Sequence, residues 1–260
     1  MSASEQGGVG TATGLQPLIG KHVAVTGGAS GIGRATAEVV SAWGAAVSIL
    51  DVDDTAIEVA RGLEGSGRRA AFWRTDVSTE TDVAEAMDHA VASFGQLDAL
   101  VHAAGVMAGQ RTLVTEVALD SWRSVIDVNL TGAFLVCKHA ARWMVRHRCG
   151  VIVLVASQGG VTSTSGSLSY GASKAGVHAL AATLHHQLST YGIRVHDICP
   201  GRIDTSLMRQ SLAEGVANGA DPAWAKEIEQ DLANAEGVAK VIAFACSPDA
   251  SYLRGTLVTH

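Results

Sequence analysis

HVAVTGGASGIGRATAEVVSAWGAAVSILD, residues 22–51, decides how the chain is read. Its first five residues (22–26) are almost wholly apolar, as expected of a strand covered on both faces in a parallel sheet. A glycine-rich turn follows, with Gly27, Gly31 and Gly33 in GxxxGxG spacing. Glycine lets the backbone turn sharply and lets a pyrophosphate approach the amides at a helix N-terminus. A helical pattern over 32–43 and a second apolar run, AVSILD at 46–51, complete a strand–helix–strand unit. Taken alone the turn is ambiguous, because tight strand-on-helix packing selects the same glycines. Asp51 narrows the reading. It closes the second strand, where a carboxylate can accept hydrogen bonds from both hydroxyls of an adenosine ribose. The same charge repels a 2′-phosphate, and neither Ser30 nor Val52 supplies a cation. The expected cofactor is therefore NAD rather than NADP.

The alternation continues along the chain. Further strands are predicted at 70–75, 97–103, 151–156, 193–199 and 256–259, with helices near 55–64, 79–94, 119–147, 170–191 and 235–247. Such an order implies a single α/β domain, a doubly wound, seven-stranded parallel sheet of the Rossmann type with helices on both faces. Residues 17–260 are assigned to it. Residues 1–16, rich in Gly and small polar side chains, read as a flexible tail. The segment 202–231 breaks the alternation with the turn-forming pairs Asn218–Gly219 and Asp221–Pro222, and reads as a lid over a site.

Composition limits the function classes. A net charge of −6 leaves no basic stripe for a nucleic-acid backbone. The longest apolar strand, VIVLVA, is far shorter than a membrane span, and the start lacks a secretory h-region, so a cytoplasmic location is expected. Four cysteines without a CxxC pair read as reduced thiols. Ten histidines include no HExxH, and the adjacent His185 and His186 point in different directions on a helix, so no metal site is expected.

Acid/base chemistry is read from three residues. Tyr170 and Lys174 lie four apart in a helical pattern, on one face. An ammonium beside a phenol favours the phenolate and lowers its pKa, which suits a tyrosine for exchanging a proton with an alcohol or carbonyl oxygen. Ser157 ends the run VIVLVAS, where a strand would present its hydroxyl. Asp76 and Val77 end the third strand. Their side chain and backbone are expected to meet the adenine, with helix capping as the competing role for Asp76. The small residues Ala103, Ala104 and Gly105 suit a backbone passing close to the cofactor.

These segments together resemble the short-chain dehydrogenase/reductase family in its compact form. TGGASGIG (26–33), Asp51, Asp76–Val77, HAAG (102–105), Asn129, Ser157, YGASK (170–174) and PGRIDT (200–205) occur in family order. The resemblance implies that Tyr170 is the general acid/base, and that Lys174 lowers its pKa and binds the nicotinamide ribose. Ser157 would orient the substrate oxygen, and Asn129 would hold a water that relays protons. It also implies cofactor contacts from Ile32, Pro200, Gly201, Ile203 and Thr205. One departure is His102–Ala103, where many relatives carry two Asn; another is that the usual Asp-Gly-Gly turn after the last strand is not reached.

The substrate is expected to meet Met107, Ser157, Gln158, Tyr170 and Met208, with Val106, Gly159, Leu207, Leu212 and Trp224 as further walls. Their apolar character points to a neutral secondary alcohol or its ketone: cyclic, terpenoid or steroid-like. Arg202 and Arg209 leave a hydroxy acid or hydroxyacyl thioester as the alternative. Other readings are a non-catalytic NAD sensor and an epimerase or dehydratase on the same cofactor. In relatives the helices corresponding to 119–147 and 170–191 pack between subunits, which implies a homotetramer or homodimer.

Overall fold

A computed structural model describes residues 17–260; the tail expected at 1–16 lies outside them. Seven parallel strands form one sheet in the order β3-β2-β1-β4-β5-β6-β7. They are β1 (His22–Thr26), β2 (Ala46–Asp51), β3 (Ala70–Arg74), β4 (Ala99–His102), β5 (Gly150–Val155), β6 (Ile193–Cys199) and β7 (Gly255–Val258). The order reverses between β1 and β4, so the crevice for a ligand opens at their carboxyl ends.

Strand alternation divides the core into two layers. Val23 and Val25 of β1 and Val151 and Val153 of β5 face one layer. There they meet α1 (Gly31–Ala42), α2 (Ala56–Gly65) and α10 (Ala235–Cys246). Ala24, Ile152 and Leu154 face the other, against α3 (Glu80–Phe94), α5 (Gly132–His147) and α7 (Leu168–Leu188). Because both faces are covered, β1, β4 and β5 are buried along their whole lengths. The outermost strands, β3 and β7, are partly exposed, so continuous burial does not extend to the sheet edges.

Two stretches differ from the sequence expectation. The helix expected over 119–147 is α4 (Leu119–Ile126) followed by a π-helical turn, Asp127–Thr131, that leads into α5. Asn129 sits in that turn, fully buried. Its amide donates to the Val106 carbonyl at 2.9 Å and to Ser173 Oγ at 2.9 Å, and its Oδ1 accepts from the Val106 amide at 2.8 Å. A wide turn held by side-chain bonds often marks a functional position. The second stretch is 202–231, which contains two helices, α8 (Ser206–Ala217) and α9 (Pro222–Gln230). They pack closely: a Cβ at Gly215 would come within 2.9 Å of the Trp224 ring. A single irregular turn, α6 (Gln158–Val161), follows β5.

Candidate active site

The glycine turn after β1 makes a cradle that larger residues would fill. Gly27 has φ +70°, and a Cβ there would lie 2.6 Å from the Ala104 amide. At Gly33 a Cβ would lie 2.0 Å from the Gly27 carbonyl, so strand and helix touch through these positions. Ser30, which precedes α1, makes no side-chain capping bond, which leaves the first amides of that helix for a ligand. Every cofactor residue expected from the sequence lines the one cavity here, of about 340 Å³.

Asp51 stands at the mouth of this cavity; its Oδ2 accepts from the Ala29 amide at 2.9 Å and its Oδ1 from the Asp53 amide at 3.0 Å. Among the residues lining the cavity, Lys174 alone is a cation, and it belongs to the opposite end. Asp76 and Val77 also line it. The Asp76 carboxylate accepts from the Ser78 amide at 2.9 Å and from the Ser78 hydroxyl at 2.6 Å, which shapes the turn; Thr79 occupies the position before α3. These features fit a nicotinamide dinucleotide: a glycine cradle without room for Cβ atoms, a carboxylate for the ribose, and a buried ammonium.

Tyr170 and Lys174 do share a face of α7, with the Lys174 ammonium 5.6 Å from the centre of the Tyr170 ring. Ser167 starts the helix by accepting from the Tyr170 amide, and donates its own hydroxyl proton to the Ala108 carbonyl at 2.6 Å. Lys174 is buried and donates to the Val155 carbonyl at the end of β5, 2.7 Å away. Burial lowers its pKa from 10.5 to about 8. Burial pushes the Tyr170 phenol up, while a hydrogen bond with Ser157 pulls it down. The Lys174 ammonium sits over the ring face, bonded to the backbone. Ser157 is the acidifying partner; its oxygen also accepts from the Gly159 amide at 3.1 Å.

The position where relatives carry Asn is taken by a fully buried imidazole. His102 Nδ1 is 2.9 Å from Thr26 Oγ1, which also accepts from the Ala104 amide at 3.3 Å. His102 Nδ1 and Thr26 Oγ1 share one hydrogen bond, whose donor is set by the ring's tautomer. The sequence marks the departure at His102 but not its bond to Thr26.

A second cavity, about 850 Å³, shares Ser157, Tyr170, Met107 and Met208 with the first and continues under α8 and α9. The expected walls Gln158, Gly159, Leu212 and Trp224 line it, while Val106 and Leu207 face the cofactor cavity. Among the groups that escaped sequence reading are Gln110 and Arg111, the polar run Ser163–Thr164–Ser165, and Ile228. None belongs to a motif, and loop residues far apart in sequence carry no periodicity. Arg209 does not line this cavity. It forms two 2.8 Å bonds to Asp204 at the surface. Among the described residues no group of three or more His, Cys, Asp or Glu is placed to hold a metal, and no helix is long and apolar enough to cross a membrane.

Comparison with known proteins places this geometry. The family model described as short chain dehydrogenase matches residues 21–215. The chain is 43% identical over 234 residues to cis-4-hydroxycyclohexanecarboxylate dehydrogenase of Sinomonas cyclohexanicum, covering 90% of this chain and 92% of that one. It is 34% identical to (+)-borneol dehydrogenase 2 of Salvia officinalis, covering 92% and 87%. The crystal structure of levodione reductase superposes with a TM-score of 0.86 at 28% identity, covering 93% and 96%. The fold, the matched residues and relatives of similar length agree: this chain belongs to the short-chain dehydrogenase family and is an oxidoreductase of that family.

Proposed function

We propose that the protein interconverts a secondary ring alcohol and its ketone with NAD. The observation that carries the proposal is the meeting of two cavities at Ser157 and Tyr170, with the buried Lys174 one helical turn along. Once bound, a nicotinamide dinucleotide supplies the acceptor for the hydrogen and electron pair that leave the carbinol carbon. Tyr170 takes the hydroxyl proton as that carbon is oxidised, and returns it in the reverse direction. Ser157 bonds the same oxygen and stabilises charge that develops on it. Lys174 holds a positive charge beside the phenolate and is the residue assigned to the nicotinamide ribose, with Thr205 nearby. Asn129 fixes the loop after β4 against α7, beside the path by which a proton leaves Lys174.

Asp51, and a cavity lining whose one cation is Lys174, favour NAD over NADP; Arg74, beside Asp51 on β3, pairs with Asp54. The ring-alcohol assignment rests on the apolar walls and on relatives named for a hydroxycyclohexanecarboxylate and for borneol. The helix pair α8–α9 is assigned as the lid. Subunit contact is assigned to α5 and α7, where Phe134 and Leu168 are exposed. The test is absorbance of the reduced dinucleotide with NAD or NADP and a panel of ring and open-chain secondary alcohols. Sustained reduction of NAD by ring alcohols supports the assignment. Tight NAD binding without turnover on any alcohol would make the protein a sensor, and rearranged product without net reduction would make it an epimerase.

A further inference from the structure

The second cavity is not uncharged. Its lining includes two guanidinium groups, Arg111 and Arg202, the side-chain carboxylate of Asp231, and His260. Arg202 and Asp231 lie 3.6 Å apart, so they largely offset each other. Arg111 has no ion pair among the described residues. The nearest candidate acid on α8, Glu214, is already engaged: it accepts from the Gly109 amide at 2.8 Å and the Gln110 amide at 3.2 Å.

The backbone around Arg111 is held firmly. Arg111 has φ 62°, a left-handed conformation that residues with a Cβ rarely adopt. Its amide donates to the Gly166 carbonyl at 2.8 Å, and Asn218 donates to the Gln110 carbonyl at 2.8 Å. The guanidinium lies over the Trp224 ring, 5.6 Å from its centre, which restrains its plane and leaves its N–H edge for an acceptor. A planar fork of donors is complementary to a carboxylate.

We infer that Arg111, stacked on Trp224, recognises a carboxylate on the substrate, remote from the carbon that reacts. The substrate class is then a ring hydroxy acid. Tyr170 and Ser157 take the hydroxyl end, and Arg111 takes the anionic end. This inference rests on the proposed alcohol oxidation and specifies its substrate. Arg111 is a specificity residue and takes no part in proton transfer.

The test compares 4-hydroxycyclohexanecarboxylate with its carboxamide, which keeps the shape and removes the charge. Wild-type enzyme with NAD should favour the carboxylate in kcat/KM. Arg111→Gln should lower that preference about 10- to 100-fold, through KM rather than kcat, as expected for loss of a charged hydrogen bond. Arg111→Lys should restore part of it. Lys240→Gln, on the exposed face of α10 where Lys240 pairs with Glu236, should leave the preference unchanged. An unaltered preference in Arg111→Gln, or a wild-type enzyme that favours the carboxamide, overturns the inference. Calorimetric titration with cyclohexanecarboxylate, which has no hydroxyl to oxidise, separates the two proposals. Binding that needs Arg111, together with no turnover of any alcohol, keeps the anion site and rejects the reaction. Turnover of both alcohols alike, with no binding of the plain acid, keeps the reaction and rejects the anion site.

Discussion

The cofactor cavity and the substrate cavity touch at Tyr170, yet they are built by different means. The first is shaped by backbone: glycines leave room, Ala103 and Ala104 press against Gly27, and α1 presents its uncapped amides. The second is shaped by side chains from several separate segments, among them the loop 107–111, the run 157–166, Tyr170, Arg202 and helices α8 and α9. A backbone cradle tolerates few residue types at a fixed spacing. A side-chain cavity can be assembled from many. Substitutions in the first should therefore act on the fold and on dinucleotide affinity together, whereas those in the second should act on selectivity alone.

The largest effect expected from breaking the cradle is at Gly33. A methyl there meets the Gly27 carbonyl at 2.0 Å, so Gly33→Ala should destabilise the protein by about 3 kcal/mol and weaken NAD binding. Gly62→Ala is the matched control. It lies on α2 with nothing within 4 Å of its added Cβ, and should stabilise by about 0.5–1 kcal/mol. Urea denaturation of the two variants decides the matter, and equal midpoints would remove the cradle argument.

Acid should loosen the sheet under the cofactor next. His22 and His102 are buried and neutral, with pKa values lowered by burial from 6.5 to about 4 and about 3. The unfolded chain takes up these protons first, so their contribution is intact above pH 6.5 and is lost as pH falls towards 4 and 3. At pH 4.5 each group should have removed about 2–3 kcal/mol. His102→Asn should flatten the fall in Tm between pH 6.5 and 4.5; an unchanged slope would show that another group governs acid unfolding. Cofactor choice should shift with Asp51. Asp51→Asn should reduce the preference for NAD over NADP by about tenfold, the weight of one repulsive charge near the surface. A variant ratio equal to wild type would free Asp51 from that role. In the second cavity, Leu212→Ala should change KM for bulky ring alcohols a few-fold without altering NAD affinity, since Leu212 lines only that cavity.

How far the sequence could be read follows from the same contrast. The seven strands appear at nearly their expected bounds, because apolar runs covered by helices on both faces leave a direct trace. The residues that line the first cavity were legible, some from a steric or electrostatic need at one position and the rest from the resemblance to the family. The π turn at Asp127–Thr131 was not, since it leaves the apolar periodicity of the flanking helices intact and depends on Asn129 reaching Val106 across the fold. Nor was the weight of burial on Tyr170, because spacing of four residues specifies proximity to Lys174 but not how thoroughly both are buried. Arg111 could not be singled out, as its importance rests on Glu214 and Asp231 being engaged elsewhere.

The central claim is proton exchange at Tyr170 beside a bound dinucleotide, and Tyr170→Phe tests it most directly when turnover and NAD affinity are measured on the same sample. The account predicts a loss of turnover of about a thousandfold or more with NAD affinity changed by less than about threefold. Turnover near the wild-type rate with NAD binding preserved would contradict it.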